Sequence, residues 1–248
     1  MPELTCPVCG GALHREERSL RCGAGHCYDL ARQGYVNLLR TNQSKAKRHG
    51  DDQRMVAART AFLDAGYYAP LRDAIAAAAV EYTSGDADVL DAGCGEGYYT
   101  TLLYDALCQR GMEPDILGVD ISKLALDKAA KRQKAIFYVV ASVFHLPVPD
   151  ACCDLLCSLF SPYCSEEYQR VIRPGGAMLL VIPGENHLWE LKQAIYERPY
   201  KNQVKPFALE GFTLLDHMQV HDTIYLAEHN DIENLFKMTP YYYKTSEQ

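Results

Sequence analysis

Val89-Leu90-Asp91-Ala92-Gly93-Cys94-Gly95-Glu96-Gly97 is an apolar run that ends in an acid and breaks at once into three alternating glycines. Strand-forming residues (88–92) precede the glycines and helix-forming residues (98–109) follow them, which predicts a strand-to-helix turn. At such a turn the backbone can approach a ligand closely and a helix N-terminus faces it. The spacing is G-x-G-x-G, not the G-x-G-x-x-G of dinucleotide-binding enzymes. Asp91 stands on the strand just ahead of the turn, where a carboxylate would repel a diphosphate but suits a cationic amino acid moiety. S-adenosylmethionine (SAM) is such a ligand. The next strand points the same way, since Ile116-Leu117-Gly118-Val119-Asp120-Ile121 is apolar and delivers Asp120 where a ribose diol would lie in a doubly wound sheet. Either motif alone could be an ordinary βα unit whose acid caps the next helix. Together they predict a SAM loop built from Asp91, Gly93, Gly95, Gly97 and Asp120.

On the N-terminal side of the loop, residues 55–82 are alanine-rich with Val56, Phe62, Leu63, Leu71 and Ile75 at helical spacing, which reads as helix, a bend near Gly66, then helix. On the other side come a strand (115–122) and helix (123–134), a strand (136–142), a strand (153–160) and helix (165–172), and a strand (177–183) and helix (187–198). Arg173-Pro174-Gly175-Gly176 is a sharp turn into the fifth strand. This alternation predicts an α/β, Rossmann-like parallel sheet covered by helices. Residues 211–226 are expected as a sixth strand and 231–237 as a helix. The usual SAM-dependent methyltransferase sheet inserts a seventh strand between the fifth and sixth, and none is visible. The expectation is therefore a truncated chain, or an edge completed by another segment or a partner.

The 248 residues, 48% hydrophobic, suffice for one sizeable core plus a small appendage. Nothing resembles a signal peptide or a membrane span, so the ten cysteines are expected in a reducing cytoplasm and not in disulfides. Cys94, Cys108, Cys152, Cys153, Cys157 and Cys164 lie in or beside apolar segments and read as small core residues. The others form a pattern. Cys6, Cys9, Cys22 and His26 give C-x2-C-x12-C-x3-H, two tight ligand pairs separated by a hairpin-length spacer, a strong signature of a structural zinc finger. Cys27 would also fit as C-x4-C, so it is the alternative to His26 as fourth ligand. A segment this short cannot hold itself by burial alone, and a metal with four protein ligands would supply what is missing.

Charge divides along the chain. Residues 1–60 carry ten Lys+Arg against six Asp+Glu, net +4, and the remainder carries 15 against 26, net −11. The expected organisation is a zinc-binding finger (1–40), a basic linker (41–54) and a methyltransferase domain (55–248). The linker, with Arg40, Lys45, Lys47 and Arg48, is basic and poor in apolar anchors, as suits a segment lying along phosphates or a solvated tether.

The finger, the following Tyr28-Asp29-Leu30-Ala31-Arg32-Gln33-Gly34-Tyr35-Val36-Asn37-Leu38-Leu39, the segment Ala61-Phe62-Leu63-Asp64-Ala65-Gly66-Tyr67-Tyr68-Ala69-Pro70-Leu71 and the stretch 91–100 resemble the RlmA family of 23S rRNA guanine-N1 methyltransferases, with the likeness running from Cys6 to about Pro240. The resemblance implies a homodimer that engages a 23S rRNA hairpin and moves a methyl group from SAM to a ring nitrogen. It further implies zinc at Cys6, Cys9, Cys22 and His26, and SAM contacts from Tyr68, Glu96, Gly97, Asp120 and, through Pro183-Gly184-x-x-His187-Leu188, from His187. Exocyclic-amine methyltransferases often carry Asn/Asp-Pro-Pro-Tyr after the fourth strand. This chain has Phe160-Ser161-Pro162-Tyr163, without the amide or carboxylate that grips an NH2, which fits a ring nitrogen. Guanine N1 holds a proton at neutral pH, so a general base or a stabilised enolate-like state is required. Asp64 and Glu185 are placed for that work by local context, but surface or capping roles suit both, and no catalytic residue is assigned.

Overall fold

The computed structural model describes residues 2–40, 50–204 and 208–243, so Lys45, Lys47 and Arg48 of the expected linker lie outside the described residues. The chain opens with an antiparallel ribbon of four short strands in sequential order, β1 (Leu4–Thr5), β2 (Ala12–Glu16), β3 (Ser19–Cys22) and β4 (Cys27–Asp29). Next comes β5 (Val36–Asn37), which falls within the expected finger but joins the large sheet.

That sheet comprises β6 (Asp88–Ala92), β7 (Asp115–Asp120), β8 (Phe137–Val140), β9 (Cys153–Leu159) and β10 (Ile172–Val181), together with β5, in the order β10-β9-β6-β7-β8-β5. All of its pairings are parallel. The central strands are buried and read as near-continuous apolar runs because helices cover both faces. β6 lies between β7 and β9, so strand order reverses beside it and the crevice at its C-terminal end is the expected ligand site.

The helices are α1 (Gln53–Asp64), α2 (Ala69–Glu81), α3 (Tyr98–Gln109), α4 (Lys123–Arg132), α5 (Ser165–Val171), α6 (Trp189–Ile195) and α7 (His229–Lys237). Asp52 caps α1 by accepting from the Met55 amide, and Ser122 caps α4 by accepting from Ala125. The bend expected near Gly66 separates α1 from α2, with Gly66 at φ +83°. No helix among the described residues is long and apolar enough to cross a membrane.

Two features depart from expectation. Residues 212–226 form no sixth strand. Leu214, Leu215, Met218 and Tyr225 of this stretch are exposed, and among the described residues no strand pairs with the outer edge of β10. These apolar side chains thus stand outside the core, and the stretch joins no ladder that would hold it as a strand. The ribbon also shares its interior with the sheet, since Leu4, Leu13, Leu20, Cys6 and Cys22 belong to one buried cluster with Val36, Leu38, Leu117, Val139, Leu146 and Tyr168. A backbone bond from the Thr5 amide to the Pro147 carbonyl (2.8 Å) stitches β1 to the loop after β8.

The glycine turn connects fold and site. Gly93, Gly95 and Gly97 all have positive φ (+92°, +56° and +77°), a region that L side chains rarely adopt. A Cβ on Gly97 would also stand 2.9 Å from Ala129 Cβ and 3.0 Å from the Tyr138 hydroxyl, whereas a Cβ on Gly111, also at φ +77°, would meet nothing. Gly111→Ala should therefore cost only the left-handed strain, about 1–2 kcal/mol. Gly97→Ala should add overpacking of about 1–3 kcal/mol. Urea unfolding without cofactor checks this, and equal losses would show that helix α4 does not press on the loop.

Candidate cofactor site and metal centre

In the ribbon, the turn after β1 is tied by Gly10 N–H to Cys6 O (2.8 Å) and Cys6 N–H to Gly11 O (2.7 Å), and the turn after β3 by Gly25 N–H to Cys22 O (2.9 Å). These two knuckles bring the ligand atoms of Cys6, Cys9, Cys22 and His26 within 4.8 Å of one another. Cys9 Sγ lies 3.6 Å from Cys22 Sγ, and His26 Nδ1 lies 3.3 Å from Cys22 Sγ and 3.6 Å from Cys6 Sγ. The sulfur separation is far beyond a disulfide bond and close to the ~3.8 Å edge of a tetrahedron with zinc–sulfur bonds of about 2.3 Å. Cys27 is exposed on β4 opposite Arg21 and stands outside this group, whereas His26 lies within it. Burial pushes the Cys6 thiol up, but the Tyr28 hydroxyl at 3.2 Å and the backbone amides of Cys9 and Val8 outweigh it and bring Cys6 down to about 6. A thiol so lowered is poised to be a thiolate ligand.

At the end of β6, Asp91 is buried and accepts from Thr100 Oγ1 (2.6 Å) through one oxygen. Its other oxygen, Oδ1, is buried with no hydrogen-bond partner. Burial, reinforced by the nearby Asp120 carboxylate and only partly countered by Thr100, raises Asp91 to about 7. Asp120 ends β7 and accepts from the Gly95 amide (2.9 Å) and the Ser122 amide (2.7 Å), one through each oxygen, which ties the glycine turn to the neighbouring strand. Burial still pushes Asp120 upward against those two bonds. A Cβ on Gly95 would meet no protein atom within 4 Å, so this middle glycine faces open space while Gly93 and Gly97 face packed neighbours. An unpartnered carboxylate oxygen, an open cradle and a second acid one strand away fit the ammonium, the backbone approach and the ribose diol of SAM.

Glu96 is placed differently. It is buried with one oxygen 2.8 Å from Arg132 Nη2 and the other 2.5 Å from Thr60 Oγ1, so its side chain braces the turn against α4 and α1. Tyr68, at the start of α2, and His187, ahead of α6, meet across the chain, with the Tyr68 hydroxyl 3.3 Å from His187 Nε2. Burial pushes Tyr68 up to about 12. Burial, and secondarily the ammonium of Lys192, lowers His187 and keeps the imidazole neutral at physiological pH. Neither acid considered as a base is free, because Asp64 pairs with Arg132 (2.8 Å) and Glu185 with Lys201 (2.9 Å). Sequence reading missed Thr100, Thr60 and Arg132, which hold the two acids of the loop, and Lys192, whose buried ammonium donates to Asn202 Oδ1 (2.6 Å) and the Tyr200 carbonyl. None of these carries a local sequence signal, since each meets its partner only through folding.

A parallel sheet with a glycine turn at its switch point, a buried and a half-buried acid near the ends of two adjacent strands and a Cys/His ribbon at its edge defines a SAM-dependent methyltransferase with a zinc ribbon. Family models described as "RlmA, N-terminal" and "Methyltransferase domain" match residues 4–47 and 83–237. A 23S rRNA (guanine(748)-N(1))-methyltransferase of Streptomyces fradiae is 38% identical over 195 residues, 77% of this chain and 67% of that one. A Micromonospora griseorubida protein provisionally described as a 23S rRNA (guanine-N(1)-)-methyltransferase is 40% identical over 212 residues, covering 77% and 69%. A Bacillus subtilis (strain 168) protein with the same provisional description is 33% identical over 217 residues, covering 84% and 74%. The chain belongs to the RlmA family of 23S rRNA (guanine-N1)-methyltransferases.

Two expectations follow from the site. Gently purified protein should carry one zinc per chain by elemental analysis, and a strong chelator should lower Tm in a single transition, because the ribbon and the sheet share a core; a separate ribbon transition would contradict that shared core. The other concerns Asp91, whose raised value means that the native state binds the extra proton between about pH 4 and pH 7. The stability associated with this group is present below about pH 4 and is lost as pH rises through about 7, on the order of 3–5 kcal/mol. Asp91→Asn should therefore raise Tm at pH 8, with the gain shrinking as pH falls and vanishing only below about pH 4, while weakening SAM binding in calorimetry. A variant less stable than wild type at pH 8 would contradict this account.

Proposed function

We propose that this chain transfers a methyl group from SAM to N1 of a guanosine in a 23S rRNA hairpin. The observation that carries the reading is that the ribbon and the cofactor pocket form one packed body, with shared core residues and the Thr5–Pro147 bond between them. A metabolite methyltransferase has no use for a ribbon locked to its sheet, and a non-catalytic rRNA-binding factor has no use for an unpartnered Asp91 beside an open glycine turn.

In this reading Asp91 Oδ1 takes the amino group of SAM, the Gly93, Gly95 and Gly97 backbone lines the cofactor, and the free lone pairs of Asp120 take the ribose hydroxyls. Tyr68 and His187 close the pocket from the side of α2 and α6, and Glu96 keeps the turn in shape through Thr60 and Arg132. When bound, SAM supplies a methyl group already activated by its sulfonium. The protein's work is alignment and exclusion of water. The aromatic and aliphatic cover of Phe62, Tyr67, Tyr68, Leu188, Leu191 and Met238 serves the second purpose. A guanine buried by pairing must be presented unpaired, in a loop or flipped out.

Cys6, Cys9, Cys22 and His26 hold zinc, and the ribbon presents the basic N-terminal part of the chain to phosphates, with Arg40 on the wall of the groove between the ribbon and the loop after β8. The finger (1–40), linker (41–54) and methyltransferase domain (55–248) keep these roles, with β5 as the structural joint between the first and the last. A homodimer in the cytoplasm completes the reading.

Incubating the protein with labelled SAM and unmodified 23S rRNA transcribed in vitro should place label in 1-methylguanosine, located by mass mapping. Metabolite extract should take up none. Asp120→Ala should weaken SAM binding by about 1–3 kcal/mol, the range for a hydrogen bond to a charged group. Unchanged affinity in a folded variant would remove Asp120 from the site, and label in metabolites but not in rRNA would overturn the substrate assignment.

A further inference from the structure

Among the described residues four non-glycines have left-handed backbone, and two of them, Phe160 (φ +55°) and Leu188 (φ +54°), flank one ring contact. The Phe160 ring lies 6.0 Å from that of His187 at an interplanar angle of 31°, and His187 in turn stands edge-on to Tyr68 at 6.5 Å. Phe160 follows β9 directly, and β9 pairs with β6 at Asp91↔Cys157, so Phe160 emerges beside the cofactor turn. A Cβ on Gly93 would stand only 2.3 Å from Ser161 Cβ, which means that loop 160–163 rests on that turn.

The loop is pinned on every side. The Phe160 amide donates to the Val181 carbonyl (3.0 Å), and Ser161 Oγ donates to the Ala92 carbonyl (2.6 Å) and lies 2.9 Å from Ser158 Oγ. The Tyr168 hydroxyl donates to the Pro162 carbonyl (3.0 Å). Tyr163, the aromatic position of the loop as aligned with Asn/Asp-Pro-Pro-Tyr, turns inward against Tyr168 at 5.4 Å. Phe160 is left 39% exposed, an apolar ring held in a strained conformation at the mouth of the site. Strain that the surroundings over-determine marks functional positions, and an exposed flat apolar ring offers a face to another flat group.

We infer that Phe160, backed by His187, is the platform on which the acceptor guanine stacks. The inference rests on the rRNA reading above. Stacking tolerates any base, so Phe160 positions the ring and leaves recognition of N1 to other groups.

The test compares Phe160→Gly, Phe160→Ala and Phe160→Tyr with wild type, using unmodified 23S rRNA transcribed in vitro. Glycine accepts the left-handed backbone without strain, so Phe160→Gly removes the ring while keeping the loop foldable. If stacking is the role, Phe160→Gly and Phe160→Ala should lose roughly tenfold to a hundredfold in kcat/KM for rRNA, the equivalent of one base–aromatic stack. SAM affinity by calorimetry should stay within about twofold of wild type, the scale of contacts worth less than about 0.5 kcal/mol, and Phe160→Tyr should retain most activity. Unchanged kcat/KM in Phe160→Gly, a matching loss of SAM affinity, or a tyrosine variant as poor as alanine would each overturn the platform. Absence of transfer to rRNA by wild type would instead overturn the functional reading on which the platform depends.

Discussion

The buried Asp91 carboxylate is the constraint around which the rest is arranged. It ends the central strand of the sheet, shares low-dielectric surroundings with Asp120, and has one oxygen without any partner. Desolvation alone makes such a group costly, and a like charge one strand away adds to the cost. The protein relieves only part of it, through Thr100 at Asp91 and the Gly95 and Ser122 amides at Asp120. The pocket is electrostatically incomplete as built, and a ligand carrying an ammonium beside a ribose diol completes both ends together. The glycine turn serves the same site, because Gly95, in a left-handed conformation with open space at its Cβ position, lends its amide to Asp120.

The ribbon solves a different problem with the same sheet. Four strands of two to five residues cannot enclose a core of their own. Metal ligation fixes the two knuckles, and the inner face of the ribbon, Leu4, Leu13 and Leu20, borrows the cover of Leu146, Val148 and Tyr168. β5 then runs parallel to β8 and lies at the sheet edge that a ribbon on a free tether would leave open. The ribbon part of the head is thereby fixed against a body of opposite sign, whereas Lys45, Lys47 and Arg48, which supply most of the head's net charge, lie outside the described residues. In the proposed reading, repulsion between rRNA and the acidic body disfavours docking except where the head leads.

Much of this was legible in the sequence because it is written in local spacing. The strand-to-helix turn at 93–97, the acids at 91 and 120, and the ligand set at 6, 9, 22 and 26 depend on residues close together in the chain. What escaped depends on long-range packing. The bonds that Thr60 and Arg132, both 36 residues away, make to the Glu96 carboxylate are of this kind. Val36 and Asn37 read as the end of a finger because nothing local announces a partner strand a hundred residues on. Residues 211–226 read as a sixth strand, but local sequence does not decide whether a backbone joins a ladder, and residues 212–226 join none.

The contact between Gly93 and Ser161 joins the two halves of the site in a way that neither motif suggests alone. With no room for even a methyl group between them, the cofactor turn and loop 160–163 share one position. Ser161 is held in turn through Ser158 and the Ala92 carbonyl, and Tyr168 holds Pro162 from beneath. Tyr168 is fully buried in the same core that seats the ribbon. Tyr168 thus belongs both to the buried cluster that includes the ribbon's Leu4, Leu13 and Leu20 and to the support of the loop beside the glycine turn. Alignment for methyl transfer tolerates errors of well under an ångström. In the proposed reading, a buried residue shared by ribbon and site suits that demand, because a hinge between RNA binding and methyl transfer would spend the binding on orientations that cannot react.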